Sequence, residues 1–150
     1  MTHDDLIILG LGTNLGNREA NLQKAISLIG NSLLNNIRQS KIYETTALLP
    51  ANAPPEWDID YLNMAISGHL AQEISPQQFL NAIKEIEVEM GRNLAAERWS
   101  PRIIDIDILV WGELQIDEPN LQIPHKELLT RPFAILPLRE LAPDWEWLNN

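Results

Sequence analysis

The residues best suited to chemistry are Asp105 and Asp107, set two apart in an otherwise apolar stretch. In an extended strand such a pair shares one face, with about 7 Å between the two along the chain, while Ile104, Ile106 and Ile108 take the other. Two like charges so placed repel, and are tolerated when solvated, protonated or joined by a cation. Magnesium suits them: it prefers oxygen, takes one or two carboxylates, and completes its shell with water and substrate phosphates. A plain solvated sheet face would show the same pattern. Three of the 11 basic residues, Arg92, Arg98 and Arg102, lie in the segment leading into this strand. Guanidinium forks bind phosphate oxygens bidentately. Carboxylates beside arginines meet the needs of phosphoryl transfer, which is mainly positioning and charge stabilisation. Pairing of Arg92 or Arg98 with Glu87, Glu89 or Glu97 would be the structural alternative.

Other candidates are weaker. His125 follows Pro124 and sits near Lys126 and Arg131; a lone histidine is more often a surface residue, though beside a phosphate it could donate a hydrogen bond. Tyr61 shares a strand face with Asn63, and an aromatic beside a carboxamide suits a flat heterocycle with hydrogen-bonding edges. Trp57, Trp99 and Phe133 are further aromatics, and most buried aromatics are simply core. The glycines at 10, 12 and 16 miss the dinucleotide fingerprint, because position 15 is Leu, and no phosphate-loop lysine follows. They read as a turn at the end of a strand.

The elements that must hold these residues follow from periodicity. The apolar residues 6–11 predict a buried strand. Asn17 can cap a helix carrying Leu22, Ala25, Ile26 and Ile29, with Gly30 as its stop. Residues 37–46 predict a strand, and 47–58, with three prolines, a loop. From 61 to 67 the residues alternate, Leu62, Met64 and Ile66 on one side, as in a strand with one core face. Ser75-Pro76-Gln77-Gln78 opens a helix with the stripe Phe79, Ile83, Ile86 and Met90, ended by Gly91. A second irregular stretch, 92–102, precedes the strand of Asp105 and Asp107, and 132–141 has a short helical pattern. The order βαββαβ predicts an α+β, ferredoxin-like antiparallel sheet with helices packed on it and a small C-terminal helical addition.

The chain has 150 residues, 45% of them hydrophobic, with 11 basic against 21 acidic side chains and a net charge of −10. This composition predicts one folded domain spanning 1–150 and argues against a sequence-blind nucleic-acid binder or an anionic-membrane protein. The absence of cysteine excludes disulfides, thiolate zinc sites and cysteine nucleophiles. No signal peptide or membrane span is visible. The expectation is a cytoplasmic monomer acting on small molecules.

Taken together, Leu11-Gly-Thr-Asn-Leu15, Tyr61-Leu-Asn63, Met90-Gly-Arg92, the block from Glu97 to Ile108, Pro124-His125, Arg131-Pro-Phe133 and Pro137-Leu138 resemble the 6-hydroxymethyl-7,8-dihydropterin pyrophosphokinase family, over nearly the whole chain. The arginine–tryptophan–proline–aspartate block is the specific part. The resemblance implies transfer of pyrophosphate from ATP to the hydroxymethyl group of the reduced pterin, releasing AMP. It implies that Asp105 and Asp107 hold two magnesium ions, and that Arg92, Arg102 and His125 are catalytic. His125 and Arg131 would hold phosphates, and Glu87 and Ile108 would line the nucleotide site. Tyr61 and Phe133 would sandwich the pterin, Asn63 would read its edge, Trp99 would close over it, and Thr45 and Leu48 would contact it through backbone. Loops 47–58 and 92–102 correspond to lids. The chain departs from some family members at Leu94, Asn120, Gln122 and Lys126. Two other readings stay open: a nucleotidyltransferase releasing pyrophosphate, and a pterin- or nucleotide-binding module without turnover.

Overall fold

The structure, a computed structural model, describes residues 6–93, 95–97, 99–125 and 130–144; Leu94, Arg98 and Lys126 lie outside them. In chain order the elements are β1 (Ile7–Thr13), α1 (Arg18–Ser32), β2 (Leu34–Gln39), β3 (Tyr43–Thr45), a 3-10 turn (Pro55–Trp57), β4 (Tyr61–Leu70), α2 (Pro76–Glu89), β5 (Asp105–Trp111), β6 (Ile116–Glu118), β7 (Leu121–Ile123) and α3 (Pro132–Leu141). The main sheet runs β2-β4-β1-β5, with β3 also on β4. All its pairings are antiparallel. The fold is therefore α+β.

Both long helices start where the sequence predicts. Asn17 accepts a hydrogen bond from the Ala20 N–H, and Ser75 with Gln78 forms a reciprocal capping box. The two helices bury Leu22, Ile26, Ile29, Phe79, Ile83 and Ile86 against Leu9, Leu11, Met64, Ile66, Ile106 and Ile108 on one sheet face. Phe79 meets Trp111 edge-on, with ring centroids 5.2 Å apart, an arrangement the aromatic quadrupoles favour.

Four expectations need correction. Gly30 does not stop α1, which continues to Ser32; a Cβ there would meet Ile37 Cδ1 at 3.4 Å, an ordinary contact. The strand expected over 37–46 begins at Leu34 and is broken into β2 and β3. The break is chemical: the Ser40 hydroxyl accepts the Ala65 N–H at 2.9 Å, displacing a ladder bond, and Glu140 of α3 accepts the Lys41 N–H at 2.9 Å. Gly12 and Thr13, expected in the turn, lie inside β1 as Gly10 does, and the turn begins only after Thr13. Finally, β4 has two buried faces, because α3 covers Ile8, Ala65, Leu109 and Val110 with Ala134, Leu138, Leu141 and Ala142. The β6–β7 hairpin was not foreseen.

A bulge in β5 divides this second face. Ile8 pairs with Val110 and Leu9 with Ile108, so Leu109 is the additional residue. Beyond the bulge the face is packed under α3. Before it, Gly10, Gly12, Tyr61, Asn63, Asp105 and Asp107 share a stretch that lines an open cavity.

Candidate active site

The cavity has a volume of about 650 Å³, within the range of small-ligand sites. Its floor is β1, whose glycines leave a trough between β4 and β5. At Gly12 a Cβ would stand 2.9 Å from Asn63 Oδ1 and 3.5 Å from Tyr61 Cδ1, so a side chain there would push into the recess. Asn63 itself is buried, and its amide N–H₂ donates to the Thr45 hydroxyl at 2.6 Å, tying β4 to β3. Burial, and then the charge of Asp105, raise the Tyr61 phenol above its ordinary value and keep it neutral.

The charged end is assembled from α2 and β5. Because β5 is an edge strand, the Ile106 N–H points away from β1, and the Glu87 carboxylate accepts it at 2.8 Å. Gly91, at φ +105°, ends α2 in a turn in which the Gly91 N–H donates to Val88 and the Arg92 N–H to Glu87. That turn folds Arg92 back over its own helix. Its Nη1 lies 2.6 Å from Glu87 Oε2 and 3.0 Å from Asp105 Oδ1, while Arg102 Nη1 lies 3.4 Å from the same Asp105 oxygen. The predicted structural pairing of Arg92 with Glu87 is therefore present, and it extends to Asp105.

Asp107 stands beside Asp105 on this face. Burial, followed by the charges of Asp105 and Glu87, lifts its carboxyl well above the usual carboxylate range, with Arg92 and Arg102 opposing. Glu87, only 2% exposed, is raised by burial despite the Ile106 N–H and Arg92. A pocket that concentrates acidic groups to this degree stabilises bound positive charge. Among the described residues no cluster of three or more acidic or imidazole groups could hold a metal by itself. Two hard carboxylates fit a cation that takes its other ligands from water and phosphate, and magnesium meets that description.

Of the sequence-predicted site residues, Thr45, Leu48, Tyr61, Asn63, Glu87, Arg92, Trp99, Arg102, Asp105, Asp107, Ile108, His125, Arg131 and Phe133 line the cavity, Trp57 does not, and Arg98 lies outside the described residues. The His125 N–H donates to Leu109 at the β5 bulge, which fixes this segment beside the strand. Sequence reasoning missed Lys84, which also lines the cavity; it lies one helical turn before Glu87, a spacing that would have placed both on one face. Asn120 and Gln122, noted only as departures, border the cavity as well.

The fold matches solved structures. A crystal structure described as HPPK-DHPS in complex with substrates aligns over 93% of this chain and 40% of its own, with a TM-score of 0.65 at 15% identity. Plasmodium falciparum HPPK-DHPS A437G with SDX-DHP aligns over 93% and 42%, at 0.67 and 17%. Among curated proteins, the folate synthesis bifunctional protein of Chlamydia caviae is 38% identical over 143 residues, 95% of this chain and 32% of that protein. The chain thus spans about a third of the length of its bifunctional relatives. The 2-amino-4-hydroxy-6-hydroxymethyldihydropteridine pyrophosphokinase of Synechocystis sp. is 36% identical over 141 residues, 92% of this chain and 67% of that protein. The family model described as 7,8-dihydro-6-hydroxymethylpterin-pyrophosphokinase matches residues 8–143, and the chain belongs to that family.

Proposed function

We propose that this chain transfers the terminal pyrophosphoryl group of ATP to the hydroxymethyl oxygen of 6-hydroxymethyl-7,8-dihydropterin, in the synthesis of folate. The hydroxymethyl oxygen forms a bond to the β-phosphorus, the bridge between the α- and β-phosphates breaks, and its oxygen leaves with AMP. The hydroxyl proton is released. The observation that carries this reading is that one cavity brings two kinds of group together: Asp105, Asp107, Arg92 and Arg102 with Tyr61, Asn63 and Phe133. Asp105 of β5 and Asn63 of β4 flank Gly12 on either side.

Asp105 and Asp107 would hold magnesium, two ions in this reading. When bound, the metal supplies Lewis-acid neutralisation of phosphate charge. The protein's own groups do the rest. Arg92 and Arg102, already beside Asp105, face charge that develops as the bond to AMP breaks. His125 and Arg131 hold phosphate oxygens, while Glu87 and Ile108 border the nucleotide. Tyr61 and Phe133 sandwich the ring, and Thr45 and Leu48 contact its edge through backbone. Because the Asn63 N–H₂ is engaged by Thr45, its Oδ1 is the atom left to accept from the pterin. Trp99, 39% exposed, closes over the ring, and loops 47–58 and 92–102 act as lids that exclude competing water.

The strand order β2-β4-β1-β5, with α1 and α2 on one face, supports the ferredoxin-like plan. Among the described residues no helix is long and apolar enough to cross a membrane. A cytoplasmic monomer remains our reading. The test is product analysis after mixing the protein with ATP, magnesium and the pterin. AMP in step with pterin diphosphate is the expected result. Pyrophosphate would indicate a nucleotidyltransferase, and pterin binding without any nucleotide product a binding module.

A further inference from the structure

The Leu11–Leu15 run contains two buried polar side chains that the proposed chemistry leaves unused. Thr13 and Asn14 are 0% and 1% exposed. Each is spent on backbone of another segment. The Thr13 hydroxyl donates to the Ile103 carbonyl at 2.7 Å. The Asn14 N–H donates to the Arg102 carbonyl at 3.0 Å, and its Oδ1 accepts the Arg102 N–H at 2.8 Å. Its Nδ2 donates to the Ile59 carbonyl at 3.1 Å. One side chain therefore grips the chain just ahead of β4 and just ahead of β5. Ile59 lies two residues before Tyr61, and Arg102 three before Asp105.

We infer that Asn14 is a positioning residue that ties the ring-binding β4 side of the cavity to its phosphate-binding β5 side. The inference rests on the pyrophosphokinase reading and adds a residue that touches neither substrate. Arg102 has its backbone fixed from both sides by Asn14, so the origin of its guanidinium is set relative to β1. Through Ile59, the same amide sets the start of β4 and hence the Tyr61 ring. A reaction that joins two substrates depends on the distance between their two sites, and misplacement by about 1 Å can cost around 100-fold in rate. The bridging geometry explains the residue type. Asparagine offers an acceptor and a donor on one short side chain, whereas aspartate offers only acceptors.

The experiment compares Asn14→Ala and Asn14→Asp with the unaltered chain. Asn14→Ala should lower kcat about 10- to 100-fold, while binding of a non-hydrolysable ATP analogue alone and of pterin alone changes less than about threefold. Hydrogen exchange should quicken at amides 59–62 and at 102–104. Asn14→Asp keeps the acceptor for the Arg102 N–H and loses the donor to Ile59, so exchange should quicken at 59–62 with 102–104 still protected. Ser40→Ala, a buried hydroxyl outside the cavity lining, serves as the control and should lower thermal stability without lowering kcat. Unchanged exchange at both loop roots in Asn14→Ala overturns the inference, as does a kcat loss no greater than that of Ser40→Ala. If Asn14→Ala fails to fold, the one-sided exchange of Asn14→Asp decides. If the unaltered chain makes no AMP, the proposed activity falls, and the exchange experiment still judges the tie.

Discussion

One face of the sheet is used in two opposite ways along the same three strands. Past the β5 bulge, Ile8, Ala65, Leu109 and Val110 are closed in by α3, with Ile8 and Ala65 wholly inaccessible. Before it, the positions of the same parity are Gly10 and Gly12 on β1, Tyr61 and Asn63 on β4, and Asp105 and Asp107 on β5. The first half gains stability from apolar burial. The second leaves apolar contact unmade and gathers charge that the fold must tolerate. Stability and the proposed chemistry are thus separated by position along a strand, and substitutions in the two halves should fail in different ways.

The largest effect is expected at the open end. Asp107→Ala or Asp105→Ala should reduce turnover by more than about 1,000-fold in steady-state assays, with pterin affinity by calorimetry little changed. At the covered end, Leu138→Ala should cost about 2–5 kcal/mol in urea unfolding and leave the turnover of the folded fraction intact. Equal loss of activity at both ends would remove the distinction. Gly12→Ala should weaken pterin binding about tenfold, since its Cβ would force the Asn63 carboxamide from its place.

A smaller effect concerns pH. Asp107 and Glu87 have raised values, so each binds its proton more tightly in the folded chain than in the unfolded one. Without divalent cations, stability should therefore fall as pH rises from the ordinary carboxylate range towards these raised values. Thermal melts of Asp107→Asn should show a shallower decline, and a slope equal to that of the unaltered chain would contradict the placement of Asp107.

The extent to which this division was legible in the sequence varied with the kind of signal. Asp105 and Asp107 could be read because strand alternation is local and the surrounding isoleucines define the opposite face. The helix starts at Asn17 and Ser75 were legible for the same reason, through caps that act within three residues. The covered half was not, because Ala65 and Ser67 look like solvent-facing residues until α3, about seventy residues later, is laid over Ala65. The break between β2 and β3 escaped because it depends on Ser40 and Glu140 acting across the chain. Gly12 was mistaken for the start of a turn, since glycine marks turns more often than it marks the floor of a cavity. Thr45 and Leu48 were named only through family resemblance, whereas Lys84 belonged to no quoted motif and was passed over.

In the proposed reaction, Asp105 and Asp107 take up a divalent cation together with the nucleotide's phosphates. Manganese binding, followed by electron paramagnetic resonance with and without a non-hydrolysable ATP analogue, tests it directly. The unaltered chain should bind manganese weakly alone and much more tightly with the analogue, and Asp105→Asn and Asp107→Asn should each lose the enhancement. Enhancement of equal size in either variant would contradict the claim.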